Sequence, residues 1–231
     1  MIRAVFLDAA HTIIEPYPNS AKVYSEIAQK HGLDVTERGV AAALAPLWLT
    51  MRAEKFEDSR RNGTTEAAER AWWLRVVDRA FRDAGEPRGV TGACFDEIFT
   101  HFAKGEAWRV PPDVVPALEA FRARGLKLGV LSNFDYRLRS VLDDHDLTRR
   151  FDTLTISSEA GWEKPHPNIY RMALESLGVG PEEAVMSGDD WEHDVEGPRS
   201  MGMRAFWLRR KGTTEDRPHI TSLLEIVPQL G

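Results

Sequence analysis

Four short polar clusters carry residue types from which a reaction could be built. Asp8 ends the apolar run Val5-Phe6-Leu7 and is followed by Ala9-Ala10-His11-Thr12. Ser132-Asn133 ends a second run, Leu126 to Leu131. Glu163-Lys164-Pro165-His166 comes after a third, and Ser187-Gly188-Asp189-Asp190, with Asp194 shortly beyond, follows a fourth. Converging carboxylates repel one another and need a cation, and hard oxygen ligands select magnesium. A carboxylate can also attack phosphorus, dividing one difficult hydrolysis into two easier steps. The transferred phosphoryl group spreads charge over its oxygens, which Lys164, Ser132, backbone N–H groups and the metal would neutralise.

Each cluster alone has a plainer explanation. An aspartate after a strand is usually a turn or helix cap, and Ser-Asn, Lys-Pro and Gly-Asp pairs are ordinary turn chemistry. Their order, each directly after a strand-like run, is what gives them joint meaning.

The elements that must position them follow from periodicity. Val5-Phe6-Leu7, Leu126 to Leu131, Thr153 to Ile156, Ala184 to Met186 and Arg204 to Leu208 read as buried strands. Helical stretches separate the later strands: Asp113 to Arg124, Leu138 to Leu147, Asn168 to Leu177 and Val195 to Met201. Strands alternating with helices predict a parallel sheet covered on both faces, an α/β fold. Ser20 to Lys104 is instead almost purely helical, with apolar faces at Val23, Tyr24, Ile27 and Ala28, at Ala68, Trp72, Val76 and Ala80, and at Phe95, Ile98, Phe99 and Phe102. Gly32, Gly63 and Gly85 mark helix ends in it. The helical block is thus an insertion after the first strand, and ligands of such sheets bind beyond the carboxyl ends of the strands.

Composition narrows the setting. Of 231 residues, 42% are hydrophobic and 29% charged, enough for a sizeable core. The net charge of −6 and the want of a basic face argue against nucleic acid, leaving a small-molecule substrate. Arg209-Arg210-Lys211 reads as a solvated strand end, and Lys55 as part of a solvated helix face. The single cysteine, Cys94, excludes an internal disulfide and reads as a small buried hydrophobe. With neither a signal-like nor a membrane-spanning run, the expectation is a cytoplasmic protein, monomer or homodimer, without a membrane partner. Trp48, Trp72, Trp73 and Trp108 are expected in the core rather than at a substrate.

The series Asp8 to Thr12, Ser132-Asn133, Lys164-Pro165 and Gly188-Asp189 with Asp194 resembles the four motifs of the haloacid dehalogenase superfamily, over nearly the whole chain. The resemblance implies a Rossmann-like core of residues 1–14 and 108–231 and a helical, type 1 cap of residues 15–107. It implies Asp8 as nucleophile and metal ligand, the Ala10 carbonyl, Asp189 and Asp194 around Mg2+, and Thr12, Ser132, Asn133 and Lys164 around the phosphate. Asp190 is the alternative to Asp194.

The family's phosphatases carry a second aspartate two positions after the nucleophile, which protonates the leaving group and then activates water. Ala10 stands there and can do neither, although such help contributes about 10²–10⁴-fold. The expectation is therefore a magnesium-dependent phosphatase-type hydrolase with an unusual proton inventory, in which His11 could substitute. A catalytically weak metal- and phosphate-binding protein is the main alternative. A 2-haloacid dehalogenase, or a phosphonatase-like enzyme using Lys55, stands behind it.

Overall fold

The computed structural model describes residues 1–230, and the backbone alone of residues 49, 52, 56 and 60–62. Strand β1 (Ala4–Leu7) lies at the centre of a parallel sheet. It pairs with β4 (Lys127–Ser132) on one side and β6 (Ala184–Gly188) on the other. β5 (Thr153–Ile156) and β7 (Arg204–Trp207) form the edges, so the order is β5-β4-β1-β6-β7. The chain steps outward from β1 to β5, then returns to lay β6 on the other side of β1. The carboxyl ends of β1, β4 and β6 meet where that direction reverses, the place such sheets offer to ligands.

Alternation along β1 divides the core. Val5 and Leu7 join Val130, Leu118 and Phe121 on one face, whereas Ala4 and Phe6 join Met186, Ile169 and Tyr170 on the other. Successive strand side chains point to opposite faces, so an apolar run buried on both sides needs helices on both. Phe6 is fully buried, which is worth about 1.5–3 kcal/mol. It packs over Gly129 of β4, where an added Cβ would lie 2.6 Å from its ring.

Helices α5 (Val114–Ala123), α6 (Arg137–Asp144), α7 (Ser157–Ala160) and α8 (Pro167–Leu177) separate the strands. The helical block comprises α1 (Ser20–Lys30), α2 (Glu37–Asn62), α3 (Glu66–Asp83) and α4 (Gly92–His101). Each opens on a side chain that accepts a backbone N–H: Asn19, Thr36, Thr65 and Thr91. Such caps are worth about 1 kcal/mol apiece. The chain enters and leaves the block through a short antiparallel ribbon of β2 (Glu15–Pro16) and β3 (Trp108–Arg109), which is too brief to be read from periodicity. Among the described residues no helix is long and apolar enough to cross a membrane.

Two surface expectations fail. Arg210 is largely buried, paired with Asp113 and donating to the Thr12 carbonyl at 2.7 Å, so it braces the loop after β1. Lys55 is half-buried between two glutamates, one from α3 and one from the core loop before α8. Runs of charge on a helix are normally solvated, and nothing local reveals the partners that fold over them. Cys94 is buried as expected, and burial pushes its thiol up to about 11.

Candidate active site

The four clusters converge at the carboxyl ends of β1, β4 and β6. After Asp8 the chain turns back on itself, with the N–H of Ile13 donating to the Ala9 carbonyl at 2.8 Å and His11 at a φ of 60°. The Asp8 side chain is thereby left facing the tip of β6. Lys164 sits below it, 2% exposed, its Nζ donating to Asp8 Oδ1 at 2.8 Å and to Asp194 Oδ1 at 2.6 Å. Asn133 fixes that lysine through its backbone: Oδ1 accepts the Lys164 N–H at 2.7 Å and Nδ2 donates to the Lys164 carbonyl at 2.8 Å. The amide is held on both its oxygen and its nitrogen by the Lys164 main chain, which leaves the main chain of Asn133 facing the site as a donor for a ligand.

Asp194 lies in a π-helical turn, Glu192–Glu196, that widens the helix and aims its carboxylate back at the strand. Gly188 makes room for it, since a Cβ there would lie 2.1 Å from Asp194 Oδ2. That same oxygen accepts the Asp190 N–H at 3.0 Å. Oxygens of Asp8, Asp189 and Asp194 all lie within 4.8 Å of one another. Asp190 instead accepts the His193 N–H at 2.8 Å and closes the turn. Of the two candidates for the third acid, it is Asp194 that joins the cluster.

Crowding appears in the acidities. Burial and the neighbouring Asp8 and Asp190 charges push Asp189 up to about 7. Burial pushes Asp194 up to about 8, with Asp8 and Asp189 adding to it and Lys164 opposing. Burial alone would lower the Lys164 pKa, but Asp194 and Asp8 overcome it and hold the ammonium charged. One cation against three carboxylates leaves negative charge to spare, which is the donor set a hard divalent cation takes.

Ser132, 1% exposed at the end of β4, lines the same cavity. Ala10 lines it with a methyl group. Thr12 does not: it is fully buried, and its hydroxyl has no hydrogen-bond partner among the described residues. The ring of His11 reaches solvent, yet surrounding protein lowers its pKa by desolvation more than Asp8 and Glu15 raise it. His166, of no evident use in the sequence, stacks on Trp162 at 4.2 Å and caps α8 by accepting the Asn168 N–H.

Above the carboxylates opens a cavity of about 360 Å³ between the sheet and the helical block. Tyr24, Trp73, Phe99, Phe102, Trp108 and Phe134 form much of its wall. Of the tryptophans expected in the core, Trp72 and Trp108 are there, 4% and 8% exposed, although Trp108 also lines this cavity, while Trp48 and Trp73 line it from the helical block. Helix faces, rather than the loops of the block, supply most of the wall. Asp135 and Arg137, which carry no motif in the sequence, form a buried fork-to-fork pair at 2.8 and 2.7 Å. Arg137 further donates to the Phe99 carbonyl and lies 3.6 Å over the Phe99 ring. The two charges lie only two residues apart, so local spacing alone gave no sign that they would be buried together.

A family model for haloacid dehalogenase-like hydrolases matches residues 2–202. The chain belongs to that family. It is 30% identical over 206 residues to haloacid dehalogenase-like hydrolase domain-containing protein 3 of Homo sapiens, covering 89% of this chain and 81% of that one. It is 32% identical over 231 residues to a phosphoserine phosphatase of Thermus thermophilus, covering 93% and 92%. Among solved structures, a HAD phosphatase from Thermococcus onnurineus matches with a TM-score of 0.67 and 26% identity over 100% of this chain and 98% of that one. Solved 2-haloacid dehalogenases share the fold as well. The fold by itself therefore does not choose between carbon and phosphorus as the atom attacked.

Proposed function

We propose that this hydrolase is a magnesium-dependent, phosphatase-type enzyme acting on a small phosphorylated molecule through an aspartyl-phosphate on Asp8. The observation that carries the proposal is the convergence of Asp8, Asp189 and Asp194 around Lys164 at the floor of a cavity. A dehalogenase attacking carbon has no use for surplus carboxylates, whereas a divalent ion does. Asp8, Asp189, Asp194 and the Ala10 carbonyl would hold Mg2+, which when bound neutralises charge on the transferred phosphoryl group.

The chain's own residues then have distinct tasks. Asp8 is the nucleophile. Lys164 keeps it ionised and pairs with a phosphoryl oxygen, Ser132 and the Asn133 main chain take others, and Thr12 supports the loop that carries Asp8. Residues 15–107 act as a cap over a core of residues 1–14 and 108–231, excluding water from the cavity. We assign the protein to the cytoplasm, as a monomer or homodimer.

Ala10 favours a second reading, a protein that binds metal and phosphate without turnover. Magnesium-dependent hydrolysis of p-nitrophenyl phosphate by wild type, Asp8→Asn and Ala10→Asp separates the two. Turnover by wild type and none by Asp8→Asn is the expected result. An inert wild type with an active Ala10→Asp points to the binding protein, and silence of all three without phosphate binding sinks both.

A further inference from the structure

The side chain two residues beyond Asp8 and the wall of the cavity above it constrain the substrate in the same direction. The first constraint is protonic. When Asp8 attacks phosphorus, the bond to the leaving oxygen breaks and that oxygen departs with the electron pair. Ala10 lines the site there and holds no proton. The neighbouring Lys164 gives two of its three N–H groups to Asp8 and Asp194 and, in the reading above, the third to a phosphoryl oxygen. With no proton from position 10 or from Lys164, a leaving oxygen that is stable as an anion is favoured. Phenolic oxygens, with pKa near ~10, meet that condition far better than an oxygen of water-like basicity near ~15.7.

The second constraint is the wall. Beyond the carboxylates the cavity is bounded by Tyr24, Trp73, Phe99, Phe102, Trp108 and Phe134. Burial pushes Tyr24 up to about 12, so its hydroxyl stays neutral. The cation on this wall, Arg137, has its forked edge occupied by Asp135 and its face against Phe99. Among the described residues, the upper cavity thus presents no uncommitted charge to a carboxylate or ammonium. A volume of about 360 Å³ suits a small ring system. The basic cleft alongside, with Arg209 and Lys211, shares only His11 and Asp189 of the catalytic end with this cavity, and touches neither Asp8, Ser132 nor Lys164.

We propose that the substrate is a small phosphomonoester of an uncharged aromatic alcohol, whose ring fills the cavity and whose oxygen leaves without a proton from the protein. The inference rests on the phosphatase reading above. In the first step a bond forms between Asp8 and phosphorus, the P–O(aryl) bond breaks, and the aryloxide takes a proton from solvent. In the second, water attacks phosphorus, the Asp8–phosphorus bond breaks, orthophosphate leaves, and the proton lost by the attacking water passes to solvent.

The test compares kcat/KM for phenyl phosphate, benzyl phosphate, O-phosphoserine and a sugar bisphosphate, with inorganic phosphate and orthovanadate as inhibitors. Phenyl and benzyl phosphates share a ring and differ in the leaving oxygen. The expected result is a phenyl preference of about 10²-fold or more in wild type, narrowing in Ala10→Asp. Trp73→Ala is expected to raise KM for 1-naphthyl phosphate about tenfold or more while leaving inhibition by inorganic phosphate unchanged. Benzyl phosphate turned over as well as phenyl phosphate overturns the inference, because a proton donor is then present. Preference for phosphoserine or the bisphosphate overturns it too, and leaves the phosphatase reading standing. Silence of every ester overturns the inference in favour of the binding protein if phosphate or vanadate still binds, and overturns both readings if neither does.

Discussion

Two lysines in this molecule, one buried and one half-buried, each lie between two carboxylates, and they do different work. Lys164 sits between Asp8 and Asp194 at 2.8 and 2.6 Å. Lys55 sits between Glu69 and Glu163 at 2.8 and 2.5 Å, with its ammonium 4.7 Å over the Trp72 ring. Glu163 and Lys164 are adjacent in the chain, so the clusters stand back to back. The first cluster adds a third acid, Asp189, and opens on the cavity. The second adds a hydroxyl instead, with Thr64 donating to Glu69 at 2.9 Å, and joins α2 and α3 to the core loop. Burial would lower the Lys55 pKa, but its two glutamates raise it overall, so the amine is held as an ammonium rather than as a free nucleophile. One surplus of charge awaits a ligand; the other arrangement holds two parts of the protein together.

Replacing the lysines tests that distinction, and Lys164→Met has the largest expected effect. Removing one partner of a buried pair leaves charge uncompensated at a cost of roughly 3–5 kcal/mol. Losing a donor to the phosphoryl group should also lower kcat by about 10²–10³-fold. Urea unfolding and steady-state kinetics read the two losses. A variant that unfolds like wild type would show that Lys164 does not neutralise the acids.

Lys55→Met should cost less, roughly 2–3 kcal/mol, because the ammonium is not fully sealed from solvent. Its kcat/KM should fall less than about tenfold, with inorganic phosphate binding retained. A folded variant that no longer binds phosphate would break the comparison by giving the second cluster a part in catalysis.

The contrast between these lysines also marks what was legible in the sequence. Lys164 follows a strand within an ordered series of polar tips, and topology alone brings such tips together, so Asp8, Ser132, Lys164, Asp189 and Asp194 converge as expected. Lys55 is a charge among charges on a helix, and its partners come from Glu69 on another helix and Glu163 on a distant loop. Pairing of that kind is set by how α2 and α3 pack, which periodicity does not encode. Trp48 and Trp73 were expected in the core and line the cavity instead for a related reason: an apolar stripe looks the same whether it faces a core or a cavity. The β2–β3 ribbon was simply too short.

Acid-base behaviour sharpens the comparison further. Asp189 and Asp194 rise from 3.8 to about 7 and about 8 in the folded protein. Between about pH 4 and pH 8 the native state therefore binds more protons than the unfolded chain, and its stability falls as pH rises through that window. The expected loss is about 1 kcal/mol or more from pH 5 to pH 8 in protein freed of divalent ions. Added Mg2+ should raise Tm more at pH 8 than at pH 5, since protons and metal compete for the same oxygens. Equal stabilisation at both pH values would mean that the ion binds elsewhere.

The smallest effect is expected at Glu86, a carboxylate with donors and no rival acid. It accepts the N–H groups of Asp34 and Arg88 at 3.0 and 3.1 Å and the Arg88 guanidinium at 2.9 Å. The Arg88 hydrogen bond first, then the two backbone donors, lowers its pKa from 4.5 to about 2. A depressed acid has the opposite sign: its contribution is present above about pH 4.5 and is lost as pH falls toward about 2. Glu86→Gln should lower Tm by a few degrees at most at pH 7, and the difference from wild type should shrink on acidification. The same change at Asp194, Asp194→Asn, should become relatively more stabilising as pH rises from 5 to 8, because it removes a carboxylate that the fold crowds. Parallel pH profiles for the two variants would mean that charge crowding does not distinguish the sheet tip from the rest of the molecule.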